Sequence, residues 1–273
     1  MPGGPRFDDH LGVDSGAALA FLDRADASSS LPRLGGMARA GGVVIVSERY
    51  WAFAAVDGTL REGRMPTPPE ALRRVPLVRG LVRLSSSLSP LFRRRGVARP
   101  RERWFLGVAV LAPLALVFVP HTVSLAVGGT TTVALLAWLL RGRTLFLHGA
   151  EHRAIAAVEE RRLRATWTGA ALPTRFSARC GTNFAALLLP IATLGQRFWP
   201  LETAAFTPLV VTVLSLAVSM ELWQLVQGSS LRAARALLVP GLILQRVTTR
   251  EPTLGETRVA LRAVASVLRR ELA

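Results

Sequence analysis

Two histidines and a glutamate fall within five residues in the segment Leu147-His148-Gly149-Ala150-Glu151-His152-Arg153. Residues four apart lie on one face of a helix, so His148 and His152 can turn both imidazoles toward one ion, with Glu151 close by on that face. H-x-x-E-H is a spacing at which two histidines hold zinc and the glutamate activates a water. Glu159 lies close to three whole turns beyond His148 and extends the same stripe. Only three of the five positions are fixed, and the plainer alternative is a polar helical turn whose groups are simply solvated.

Two further residues could join such a site. Glu221 stands inside TPLVVTVLSLAVSMELWQLV, an apolar segment in which an ionisable group is costly, so a partner or a role is expected for it. It sits about six residues before the end of that segment, roughly 9 Å along a helix. Cys180, the one cysteine of the chain, precedes Gly181, Thr182 and Asn183, and Thr182 or Asn183 can cap a helix that begins there. A helix N-terminus and the neighbouring Arg179 both favour the thiolate, which is a metal ligand and, less readily, a nucleophile paired with histidine. The expected metal set is His148, His152, Cys180 and Glu221, with Glu151 as the catalytic base. Imidazole and thiolate donors suit zinc among the divalent metals. The plainer alternatives are a small buried cysteine, and a glutamate that is protonated or reaches the interface.

The elements that must position these groups are apolar. Half of the 273 residues are hydrophobic and 19% are charged, too few charges for an ordinary soluble domain of this size. A single cysteine excludes an internal disulfide framework and a Cys-rich zinc module. Four apolar segments read as membrane spans: Trp104 to Val127, Gly128 to about Leu147, about Asn183 to Trp199 with Pro190 inside it, and about Thr203 to Val226. The net charge of +16 is carried wholly by arginine. Six arginines lie between Arg93 and Arg103 and eight between Arg141 and Arg179, whereas the links between spans one and two and between three and four hold none and Arg197 alone. The positive-inside rule then places both termini and the loop from about 148 to 182 in the cytoplasm of a multi-pass protein of the plasma membrane. The same rule turns the basic charge from a sign of nucleic acid into one of topology and anionic-lipid contact.

The expected fold is therefore mainly α: a polytopic helical bundle of about four spans with a small cytoplasmic β-hairpin region near the N-terminus and an amphipathic helix at the C-terminus. Residues 1–33, rich in Asp, Gly, Ala and Ser, read as a disordered tail without the layout of a signal peptide. Residues 34–64 carry β-branched and aromatic residues and the Asp57-Gly58 turn. Residues 65–103 form a basic amphipathic segment with Leu77, Leu81, Leu84 and Leu88 at helical spacing, suited to a membrane surface or to packing on the hairpin. Residues 104–228 make the membrane domain and 229–273 the cytoplasmic C-terminal segment and helix.

LFLHGAEHRAIAAVEE, then ARCGTNF, then PGLILQRVTTREP resemble the three ordered motifs of the YqhQ-like family of bacterial membrane proteins, a domain of unknown function whose members are described as predicted metal-dependent enzymes. The resemblance runs from about Gly35 to the C-terminal helix. It implies interest in His148, Glu151, His152, Glu159, Cys180, Gly181, Thr182, Glu221 and the segment from Gln245 to Pro252, which includes Arg250. This chain departs from the family pattern at three positions. Ser177 stands where the family has a histidine, Gly41 where it has a glutamate, and Val46 where it has an arginine.

Two functions follow from these readings. The first is a membrane protein with a metal-dependent, hydrolase-like His/Glu/Cys site at the cytoplasmic interface. The second is a non-enzymatic scaffold or assembly factor, in which the same residues form a structural metal or polar clip. The implied partner is the lipid bilayer, with a second copy or another membrane protein beside it and no nucleic acid.

Overall fold

The computed structural model describes residues 15–93, 96–104, 107–108, 121–139, 141–201 and 206–273. The chain divides into two compact units, one made of Met1–Met65, Arg141–Ser177 and Arg246–Ala273, the other of Pro66–Leu140 and Ala178–Gln245.

The first unit is a four-stranded antiparallel meander with helices packed on it. Strands β1 (Gly35–Arg39), β2 (Gly42–Val46), β3 (Tyr50–Ala55) and β4 (Leu60–Arg64) pair in chain order, with Gly36 opposite Ile45 and Val44 opposite Phe53. The β3–β4 turn is set by Gly58 at a φ of 91° and by Asp57, whose carboxylate accepts from the Thr59 N–H. Strand β2 is a run of β-branched residues, and Val43, Val44 and Ile45 are all fully buried, as expected of a strand covered on both faces.

Two helices of this unit pack against the sheet, α5 (Thr144–Glu159) and α11 (Leu254–Glu271). In α11 the buried residues Val259, Ala260, Ala263, Val264, Val267 and Leu268 repeat at three and four, giving one apolar stripe. Its start is fixed by a capping box, the Thr253 hydroxyl accepting from the Glu256 N–H while the Glu256 carboxylate accepts from the Thr253 N–H. Helix α5 is buried over almost its whole length, which explains Gly149, Ala150, Ala154, Ala156 and Ala157: small residues let it lie against the sheet and α11 together.

The N-terminal stretch expected to be a disordered tail contains helix α1 (Ser15–Ala27), whose Leu22 and Ala25 are buried in this core. Its composition hides the reason it is ordered, which is polar. Asp26 accepts from the N–H groups of Leu163 and Arg164 at the start of α6 (Leu163–Thr168). Arg161, itself at a φ of 58°, donates to the carbonyls of Ala25, Ser28 and Ser29.

The second unit is helical: α2 (Glu70–Arg74), α3 (Val78–Phe92), α4 (His121–Leu139), α7 (Gly181–Arg197), α8 (Thr207–Gly228) and α9 (Arg232–Ala236), with α10 (Val239–Thr248) following. Helices α7 and α8 pack where Gly195 leaves room for Val211 and Ser215, and where Phe184 meets Trp223 at 5.7 Å between ring centroids. Helix α3 crosses α8 at Gly80, where a Cβ would stand 2.8 Å from that of Met220.

The expected bundle of four spans is corrected here. Among the described residues one helix, α8, is long and apolar enough to cross a membrane. Most of the first expected span lies outside the described residues. The second does not run on to Leu147, because α4 ends at Leu139 and residues 144–147 begin α5, a core helix of the sheet unit. The third is the 17-residue α7, which contains Pro190 and ends on Arg197. Hydropathy alone reads any long apolar run as a span, and it cannot distinguish lipid from a sheet as the partner.

Candidate metal centre

Helix α5 carries the H-x-x-E-H residues, and it presents them as the spacing requires. The His148 and His152 rings approach to 4.5 Å between centroids in an edge-on arrangement. The Nδ1 of His148 lies 2.8 Å from the Thr248 carbonyl oxygen, and the Nδ1 of His152 lies 2.7 Å from that of Arg175. A carbonyl only accepts, so each Nδ1 must carry the proton. In the neutral ring the lone pair is then on Nε2. A backbone carbonyl on the far nitrogen is the arrangement that orients a metal-binding histidine and fixes its tautomer.

His152 is 2% exposed, and its Nε2 is buried without a hydrogen-bond partner among the described residues. A buried lone pair that meets no donor is a cost, and a metal ion removes it. Cys180 is the N-cap of α7, its Sγ accepting from the Thr182 N–H at 3.5 Å. Capping therefore falls to the cysteine, and Thr182 is its partner.

Glu151 is 4% exposed and packs against the backbone of β1, where a Cβ on Gly36 would stand 2.7 Å from its Oε1. Burial pushes its carboxyl up to about 7, with His148 pulling weakly the other way. A carboxylate poised near neutrality can take a proton from a water and return it, which is what a general base requires.

The other expected residues are placed differently. Glu221 is taken by Arg79, whose Nε lies 2.8 and 3.0 Å from its two carboxylate oxygens, and it also accepts from the Leu77 N–H. Its cost inside α8 is met by an arginine of α3, so it serves that helix pair and leaves the proposed ligand set. Glu159 is exposed at the last residue of α5. Arg250 acts through its backbone: its N–H donates to the Leu145 carbonyl, and its own carbonyl fills the space beside Gly149 that any side chain would need.

Sequence reasoning missed the residues that hold the two carbonyls in place. Arg153, buried one position after His152, donates to the Pro173 carbonyl and pairs with Glu251. Arg175 donates to the carbonyl and hydroxyl of Thr249 and pairs with the second oxygen of Glu251. The dense run of polar groups from Thr248 to Glu251 was the available signal, but nothing in it tells a partner surface from an internal brace.

No curated protein and no solved structure matches this chain. A family model described as protein of unknown function (DUF1385) matches residues 133–270, just over half of the chain. That stretch holds α5, all but the last residue of α11, both histidines, Glu151, Cys180 and Glu251, and by this match the chain belongs to the DUF1385 family.

Proposed function

We propose that this chain is a metal-dependent, hydrolase-like protein of the membrane, in which His148 and His152 hold a divalent ion through Nε2 and Glu151 is the base. The observation that carries the reading is the pair of carbonyls on the two Nδ1 atoms, which leaves both rings in the ligand tautomer, with the buried His152 Nε2 unmatched. Imidazole donors suit zinc. An ion held by the two histidines would supply a water whose pKa is lowered to about 7. The base is Glu151, buried on the same helix beside His152. Membrane attachment is supported by α8, whose 22 residues reach about 33 Å at the helical rise.

A second reading, a non-enzymatic scaffold with a structural metal clip, is favoured by one observation: His152 and Glu151 are almost wholly enclosed. Metal analysis of detergent-purified protein tests the common core of both. About one equivalent of zinc is expected in the unmodified protein and none in His148→Ala or His152→Ala, and absence of stoichiometric metal from the unmodified protein refutes the proposal. Glu151→Gln then separates the readings, because a catalytic base is lost without loss of metal, whereas a clip is indifferent to the change.

A further inference from the structure

The two imidazoles of α5 each take their orientation from a backbone carbonyl, and the two carbonyls belong to different segments. Thr248 O comes from the last residue of α10, and Arg175 O from the segment after α6. A carbonyl orients a ring only as well as its own segment is held. One side chain reaches both segments and the helix. Glu251 sits three residues after Thr248, and its Oε1 accepts from Arg153 of α5 while its Oε2 pairs with Arg175 at 3.2 Å.

Each arginine in turn grips the backbone next to a carbonyl that matters. Arg153 Nε donates to Pro173 O at 3.0 Å, two residues before Arg175. Arg175 Nη1 donates to Thr249 O at 3.0 Å and Thr249 Oγ1 at 2.6 Å, next to Thr248. The result is a closed circuit: helix to Glu251, Glu251 to Arg175, Arg175 to the Thr249 backbone, and Arg153 to the Pro173 backbone. Arg153 is 5% exposed in its side chain, so its charge has given up water and depends on Glu251 and the Pro173 carbonyl. Planar guanidinium groups suit this bracing because each can hold a carboxylate and a carbonyl at once in fixed directions.

We infer that Glu251 is a positioning residue for the metal centre: through Arg153 and Arg175 it fixes the carbonyls that set the tautomer and direction of His148 and His152. The inference rests on the metal reading above and adds that affinity and geometry at the ion are tuned by a carboxylate that does not touch it.

The test uses full-length protein in detergent, titrated with Co²⁺, whose visible spectrum reports coordination geometry. Unmodified protein is compared with Glu251→Gln and with Glu271→Gln, a control that breaks another ion pair of the same unit, between Glu271 at the end of α11 and Arg49. Loss of an outer partner of this kind costs 10–100-fold in metal affinity. The expected result is a loss of that size and an altered spectrum in Glu251→Gln, with Glu271→Gln unchanged and Glu251→Asp recovering part of the affinity. Glu251→Gln binding Co²⁺ with unmodified affinity and spectrum overturns this inference and leaves the metal reading standing. Unmodified protein that binds no Co²⁺ overturns both. If Glu251→Gln does not fold, Arg175→Lys decides by the same two criteria, since a lysine cannot hold Glu251 and Thr249 together.

Discussion

Gly36 and Glu151 share one space: the position a Cβ on the strand residue would occupy lies 2.7 Å from the carboxylate Oε1 and 2.8 Å from Cγ of the helix residue. Strand β1 therefore seats the one acidic group of the H-x-x-E-H turn, and the absence of a side chain at position 36 is what admits it. Gly36→Ala is expected to destabilise the first unit by about 1–3 kcal/mol, the usual cost of overpacking, as a lowered thermal midpoint. Gly35→Ala, whose Cβ would meet Val46 at an ordinary 3.5 Å, is the comparison and should change stability far less.

Glu151 gives stability a pH dependence whose sign is fixed by its environment. Its carboxyl titrates at about 7 in the folded protein against 4.5 for a freely solvated glutamate, because burial disfavours the charged form. The folded state thus holds the proton more tightly. Stability of metal-free protein is full below pH 4.5, falls as pH rises from 4.5 to about 7, and is flat above that, a loss of about 3 kcal/mol. Glu151→Gln should abolish this decline in denaturant titrations across that range, and a decline unchanged in the variant would assign it to another group.

Helix α11 begins at Thr253, whose hydroxyl and backbone exchange hydrogen bonds with Glu256. Thr253→Ala is expected to cost about 1 kcal/mol in equilibrium unfolding. Thr253→Ser, which keeps the acceptor, should recover most of it.

In the second unit, Arg79 and Glu221 join α3 to α8 near the close approach of Gly80 to Met220. A double-mutant cycle with Arg79→Met and Glu221→Gln, read from thermal unfolding in detergent, is expected to return a small favourable coupling. The arginine is partly exposed, and solvent screening keeps the coupling small. A coupling of zero would mean that α3 is held by packing alone.

The candidate site was more legible in the sequence than the fold. Types and spacing suffice for His148 and His152, because a helix converts a separation of four into proximity whatever surrounds it. Burial of Glu151 could not be read in the same way, since it depends on β1, more than a hundred residues away in sequence. Glu221 was rightly singled out as costly in an apolar helix, but its partner Arg79 lies among many arginines of equal standing. The fold was misread where apolar character was shared between two causes. The run through Leu147 joins the end of α4 to the start of α5, and the latter is apolar because a sheet and a helix cover it. The N-terminal stretch misled in the opposite sense, for its order comes from Asp26 and Arg161, whose bonds are made to backbone far along the chain.

The sheet unit is assembled from three stretches of chain, and its last helix, α11, is separated from its strands by roughly 190 residues of sequence. During synthesis, strands β1–β4 must therefore wait, with the apolar faces of Val43 to Ile45 unmatched by α11, while the helices of the second unit are made. Contacts so distant in sequence form late and slowly. Thr248 and Glu251 arrive only with that final stretch, so the orientation of His148 and His152 is completed after everything before it has been built. In time as well as in space, the histidine face is closed late, and a chain interrupted before Thr248 would carry His148 without the carbonyl that directs it.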